Sequence, residues 1–228
     1  MAVTDEEIKT LVEYCETNLG DPHLWKTPDG YPNSLALCII DSIYSTGSHY
    51  SSVVNVIERY KSIPSGERHG AKDLAASIQK VGGARNWATT IAENLKPAHT
   101  RSGAPLKADT IEQAADLLVH GDIDTVPDLV AAVDGKLTNN YVYHGWKRLP
   151  SQSSGVTYNY LLILAGMQSI KPDRMVLRFL AEALGEEADV EGERAVDLLT
   201  ETAKALDVEP RALDHIAWRA ASGRELVD

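Results

Sequence analysis

Residues 149–178 read LPSQSSGVTYNYLLILAGMQSIKPDRMVLR, and this stretch decides the fold. Its opening, Leu149-Pro150-Ser151-Gln152-Ser153-Ser154, has the proline and serine content of a short polar hairpin. An apolar helix is predicted over 155–166, closed by Gly166. Lys171-Pro172-Asp173 then makes a second turn, because proline removes a backbone donor and pushes the preceding residue toward extended geometry. Asp173 opens a helix predicted over 173–184 that carries Arg174 and Arg178, and it is the only acidic residue in the stretch.

Outward from this stretch the pattern is helical nearly throughout. Residues 5–18 put Ile8, Leu11, Val12 and Cys15 on one stripe behind Thr4, a good N-cap. The run 33–44 is apolar on most sides and predicts an enclosed helix. Further helices are predicted over 51–60, 71–81, 87–95, 109–120, 126–133, 139–149, 191–206 and 211–222. The segment 96–106 reads as a loop. No alternating strand pattern and no internal repeat is present, so an all-α protein is expected, with its helices in two layers or lobes.

Composition narrows the function classes. The chain has 228 residues, 43% hydrophobic and 24% charged, which suits a globular protein with a real core. Its longest apolar runs, 35–40 and 161–166, are too short to span a bilayer, so no membrane partner is expected. MAVTDEEIK lacks the basic and apolar segments of a secretory leader. Cys15 and Cys38 are the only cysteines and lie in apolar helical patterns. That spacing excludes a disulfide framework, a zinc knuckle and a four-cysteine cluster, and implies reduced core thiols in a cytoplasmic protein. The histidines are scattered singly, and phosphate-loop, nucleophile-elbow, H-E-x-x-H and GxGxxG motifs are missing. No metal and no cofactor is expected.

The net charge of −11 at first opposes nucleic-acid binding. It is unevenly spread. Residues 179–228 hold 13 acidic and five basic residues, whereas residues 136–178 hold six Lys/Arg against Asp173 alone. A basic middle therefore precedes an acidic tail, whose helices also suit a protein partner.

With those residues in view, 149–178 resembles the helix-hairpin-helix (HhH-GPD, endonuclease III-like) DNA glycosylase superfamily. Members carry a hairpin L-P-G-V-G-x-K, an apolar helix ending in Gly, and a catalytic Asp seven residues later within D-x-x-V/I-x-R. Here Leu149 to Gly155 fill the hairpin without a gap, Gly166 is the helix-end glycine, and Asp173, Val176 and Arg178 fill the final motif. A weaker likeness covers 33–60. The resemblance implies an all-α, two-lobed helix-hairpin-helix glycosylase-like fold without an iron–sulfur cluster. Residues 24–165 would form the central, six-helix-like lobe, and residues 1–23 plus 166–228 the second.

The same resemblance implies DNA as partner and base excision repair as function, by monofunctional hydrolysis of a damaged or modified base. Asp173 would be the catalytic carboxylate, at the mouth of a cleft between lobes, stabilising an oxocarbenium-like sugar and orienting water. Ser151, Gln152, Ser153, Ser154 and Gly155 would aim backbone N–H groups at a phosphate, aided by Lys147, Arg148, Lys171 and Arg174. Tyr44 falls where members carry a Gln that fills the gap left by the flipped base, and His49, Tyr50 and Trp146 would line the base pocket. Two departures limit the parallel. Serines 151 and 153 replace the hairpin glycines, and Gly155 stands where bifunctional members have a Schiff-base lysine, which disfavours a lyase step. Each residue also has a plain structural reading. Asp173 suits a helix N-cap, Arg178 its structural partner, Lys147 and Arg148 ordinary surface, and the aromatic residues core or rim. A catalytically inactive DNA-binding or protein-interaction module is the alternative.

Overall fold

The computed structural model describes residues 3–185, 190 and 192–226. Glu191, where the predicted helix 191–206 begins, lies outside them, as do Glu186, Glu187, Asp189 and Asp228 of the acidic tail. Among the described residues the protein is all-α: twelve α-helices and no strand, with one isolated bridge between Pro97 and Leu106. No described helix is long and apolar enough to cross a membrane. The chain divides into two compact units, one formed by Gly30–Gly166 and the other by Met1–Asp29 with Met167–Asp228.

The first unit contains α2 (Leu35–Tyr44), α3 (Tyr50–Lys61), α4 (Ala71–Lys80), α5 (Ala84–Thr90), α6 (Lys107–His120), α7 (Val126–Val133), α8 (Tyr141–Trp146) and α9 (Val156–Leu164). Helix α2, LALCIIDSIY, is buried along its whole length and packs against α3, α4, α6 and α9. A helix without a polar face has to be enclosed in this way. Ser34 starts it, its hydroxyl accepting from Leu37 N and donating to the His69 carbonyl at 2.9 Å. The one charge on α2, Asp41, accepts a 2.8 Å hydrogen bond from the Tyr31 hydroxyl. Gly30, at φ +61°, brings the chain against the end of α9. A Cβ there would stand 2.3 Å from the Leu164 carbonyl oxygen, which accepts from Tyr31 N at 2.7 Å.

The far end of α2 is closed by a buried lysine. The Lys107 ammonium donates to the carbonyls of Ile43 (3.0 Å), Tyr44 (2.9 Å) and Thr46, with the hydroxyl oxygens of Thr46 and Ser48 at 3.1 and 3.4 Å. A cation at the C-terminus of a helix satisfies carbonyls that have no intrahelical donor and complements the helix dipole. Helix α6 starts two residues before the predicted 109, since Asp109 caps it by accepting from Leu106 N at 2.6 Å. Helix α5 runs over Ala84–Thr90 rather than 87–95. Gly83, at φ +103°, admits the early start, and past Thr90 the chain leaves the helix, with Glu93 at φ +45°.

The second unit packs α1 (Asp5–Asn18), α10 (Arg174–Leu184), α11 (Gly192–Ala205) and α12 (Pro210–Ala221) around one core that includes Leu11, Phe179, Leu199 and Ile216. Thr4 and Glu7 form a capping box on α1, and Arg194 of α11 pairs with Glu7. Residues 24–29, expected in the central lobe, belong here. Trp25 is part of this core, and its indole N–H donates to the Leu19 carbonyl at 3.0 Å. Both cysteines are buried free thiols; burial pushes Cys15 up to about 12 and raises Cys38 as well, which disfavours the thiolate in both.

Lys107→Met keeps the apolar stem but leaves the carbonyls at the end of α2 without their donor. We expect a loss of about 3 kcal/mol in unfolding free energy, read from the urea midpoint at unchanged m-value.

Candidate functional site

In the first unit, α8 and α9 are joined by the turn 147–155, which contains the stretch 149–155 read as a hairpin. Its backbone is folded on itself: Gln152 N donates to Leu149 O and Gly155 N to Gln152 O, each at 3.1 Å. Ser151 sits at φ +64° and Gly155 at φ +78°. The left-handed backbone that favours glycine is thus present at Ser151 although the side chain is not glycine. Ser151, Ser153, Ser154 and Arg148 are exposed on the turn. Gln152 is not presented to a ligand. It is 3% exposed, its amide nitrogen donates to Pro150 O at 2.9 Å, and its carbonyl accepts from the Thr157 hydroxyl.

Thr157 in turn accepts from the Trp146 indole at 2.9 Å. Trp146 is therefore a core residue of the hairpin, fully buried, and not the wall of an open pocket. Tyr44 is likewise fully buried, with its hydroxyl donating to Asn94 O at 3.0 Å, so it is not aimed outward to replace a base. The reason is the same in both: a large ring with one polar atom is held inside where that atom finds a partner. Lys147 lies along the Tyr143 ring, 4.9 Å from its centroid, and donates to the Tyr143 hydroxyl at 3.0 Å. His49 and Tyr50, at the start of α3, are exposed.

In the second unit, Asp173 is the N-cap of α10. Its Oδ1 accepts from Met175 N at 2.8 Å and Val176 N at 3.2 Å. Its Oδ2 stands 3.7 Å from the Lys171 ammonium, with side-chain exposures of 21% for Asp173 and 13% for Lys171. The cation against Asp173 is thus Lys171, whereas Arg174 and Arg178 are exposed and Arg178 lines a shallow groove with Met175 and Glu182. Half of the carboxylate is engaged in starting the helix, and the other half faces a partly shielded ammonium. That arrangement holds the side chain in position and leaves it partly open to solvent.

One residue of this cluster was not singled out from the sequence. Asp214 of α12 is 7% exposed, and its Oδ1 accepts from Lys171 N at 2.7 Å. Burial pushes its carboxyl up to about 7; the Lys171 N–H bond and ammonium oppose that rise, and Asp173 adds to it. The available signal was an aspartate inside an apolar helical run, Ala212-Leu213-Asp214-His215-Ile216-Ala217. Among the described residues no group of three or more His, Cys, Asp or Glu side chains is placed to hold a metal ion.

A family model described as "Domain of unknown function (DUF8548)" matches residues 9–222, which run from within α1 to just past α12. The chain belongs to that family. No curated protein and no solved structure matches it. The DUF8548 match takes in the hairpin, Asp173 and Asp214 alike.

Asp214 makes a signed prediction for stability. Its folded pKa, about 7, lies above the ordinary 3.8, so the folded state binds the extra proton between these values. The stabilising contribution is whole below about pH 4 and is lost as pH rises through about 7. Asp214→Asn keeps an acceptor for Lys171 N without the buried anion. Its unfolding temperature should match the wild type at about pH 5 and exceed it by several degrees at about pH 8. The check is a melting series across that range on both proteins.

Proposed function

We propose that this protein is a helix-hairpin-helix DNA glycosylase-like hydrolase, removing a damaged or modified base without a lyase step. The observation that carries this reading is the Asp173 carboxylate. It opens α10, which follows the hairpin and α9 in the sequence, and its side chain is partly solvent-accessible beside the Lys171 ammonium; the hairpin backbone holds the glycine-type conformation at Ser151 and Gly155. In this reading Ser151, Ser153, Ser154 and Arg148 meet a DNA phosphate, and Asp173 lowers the energy of the positively charged sugar as the base leaves. Water then completes the hydrolysis, oriented by the same carboxylate. Gly155 has no amine with which to form a Schiff base, which supports hydrolysis alone.

A second reading has its own support. Gln152 is turned inward and Lys171 compensates Asp173, which suits a DNA-binding module of the same fold that has no catalysis.

Asparagine is as good an N-cap as aspartate, so Asp173→Asn leaves the start of α10 intact while removing the charge. On a panel of lesion-bearing duplexes the wild type should release base, and Asp173→Asn should reduce the rate at least about a hundredfold with its helical content unchanged. If neither protein releases base but both bind duplex with a steep salt dependence, the enzyme reading is overturned and the binding module stands.

A further inference from the structure

Asp214 is the buried ionisable group that the proposed chemistry leaves unused and that the fold ties most closely to Asp173. The tie runs through Lys171, whose backbone N–H is held by Asp214 at 2.7 Å and whose ammonium stands 3.7 Å from Asp173 Oδ2. Between them Pro172 is buried and has a fixed φ, and Asp173 N donates back to Lys171 O at 2.7 Å. The turn is therefore stiff, and what seats Lys171 also seats Asp173. Helices α10 and α11 meet α12 through apolar side chains, Phe179, Leu180, Leu198 and Leu199 among them. The charged groups that act on Asp214 are Lys171 and Asp173.

A seat alone does not require a carboxylate. An amide accepts the same N–H without the cost of a buried anion. What a carboxylate adds is a charge that can be present or absent.

We propose that Asp214 is a positioning residue for Asp173: from α12 it seats the Lys171–Pro172–Asp173 turn and, through Lys171, sets how much of the Asp173 charge is left uncompensated. The catalytic meaning of this role rests on the reading of Asp173 given above. With Asp214 ionised, two carboxylates share the field of one ammonium, and the cluster favours a positive charge developing nearby. With Asp214 protonated, Lys171 and Asp173 cancel. The burial that moves Asp214 up to about 7 puts this change within the neutral range.

The test is carbon-13 NMR of the aspartate carboxyl carbons in the full chain, titrated from about pH 4 to about pH 9. In the wild type the Asp173 carbon should show a step with the same midpoint as Asp214, near 7. That step should vanish in Asp214→Asn. In Lys171→Met, which removes a cation that lowers the Asp214 pKa, the Asp214 midpoint should move upward. An Asp173 carbon that is flat across the neutral range in the wild type, or a step that persists in Asp214→Asn, overturns the proposal. The wild-type titration decides even where a variant does not fold. In an active enzyme the excision rate should rise through the same midpoint and lose that rise in Asp214→Asn. Absence of excision with the NMR step intact counts against the proposed function and supports the coupling.

Discussion

The first unit depends on one constraint: α2 has no face that tolerates water. Ten consecutive buried residues demand neighbours on every side, and α3, α4, α6 and α9 supply them. Burying a large aliphatic side chain contributes about 1.5–3 kcal/mol, so a helix with five Leu and Ile side chains is a main source of the unit's cohesion. Enclosure also creates a problem, because the polar groups at the ends of a buried helix lose water. Ser34 answers it at one end and Lys107 at the other. The latter reaches past the helix to Thr46 and Ser48, so the same ammonium orders the segment leading to the exposed His49 and Tyr50.

Two of the buried ionisable groups, Lys107 and Asp214, differ in how completely their surroundings replace water. Lys107 meets five oxygen atoms, more than its three N–H donors can use at once. Asp214 accepts a backbone N–H and sits near both an ammonium and another carboxylate. Dense ligation by oxygen atoms holds the ammonium in place. Sparse ligation among competing charges leaves a group poised to titrate. One unit thus uses a buried charge as a fastener, and the other holds a buried charge whose state follows pH.

Much of the helical plan was legible in the sequence because amphipathic periodicity and caps are local signals. Asp5–Asn18 follows from its stripe and Thr4, and the start of α10 follows from Asp173. What was not legible is what depends on partners distant in the chain. Lys107 reads as a loop-end lysine until the carbonyls of residues 43–46 are placed around it. Gln152 reads as a phosphate ligand until Thr157 and Pro150 claim both ends of its amide. Asp214 counts only as one more acidic residue in a charged tail, since its burial is a property of the assembled core. Helix α5 starts at Ala84, ahead of the predicted 87, because Gly83 provides the backbone turn from which that helix starts.

The hairpin shows how a backbone shape that glycine adopts most easily can be held by another residue type. At Ser151 the chain adopts a left-handed conformation that costs an L-residue about 1 kcal/mol. Two features hold it there: the Gln152 N–H on Leu149 O, and the Gln152 side chain locked between Pro150 and Thr157 beneath Trp146. The inward turn of Gln152 is thus part of what maintains the turn, and the exposed hydroxyls of Ser151, Ser153 and Ser154 are what the turn offers to solvent. A phosphate meeting this surface would be held by hydroxyls and by Arg148 in place of a close approach of bare backbone. In the proposed reading, rotatable hydroxyls are less pre-organised than a glycine cradle, so such a hairpin would give a loose, salt-sensitive association in place of tight docking. The positioning demanded of any chemistry then falls on the second unit, where Asp173 is held by two backbone N–H groups and a turn seated from α12.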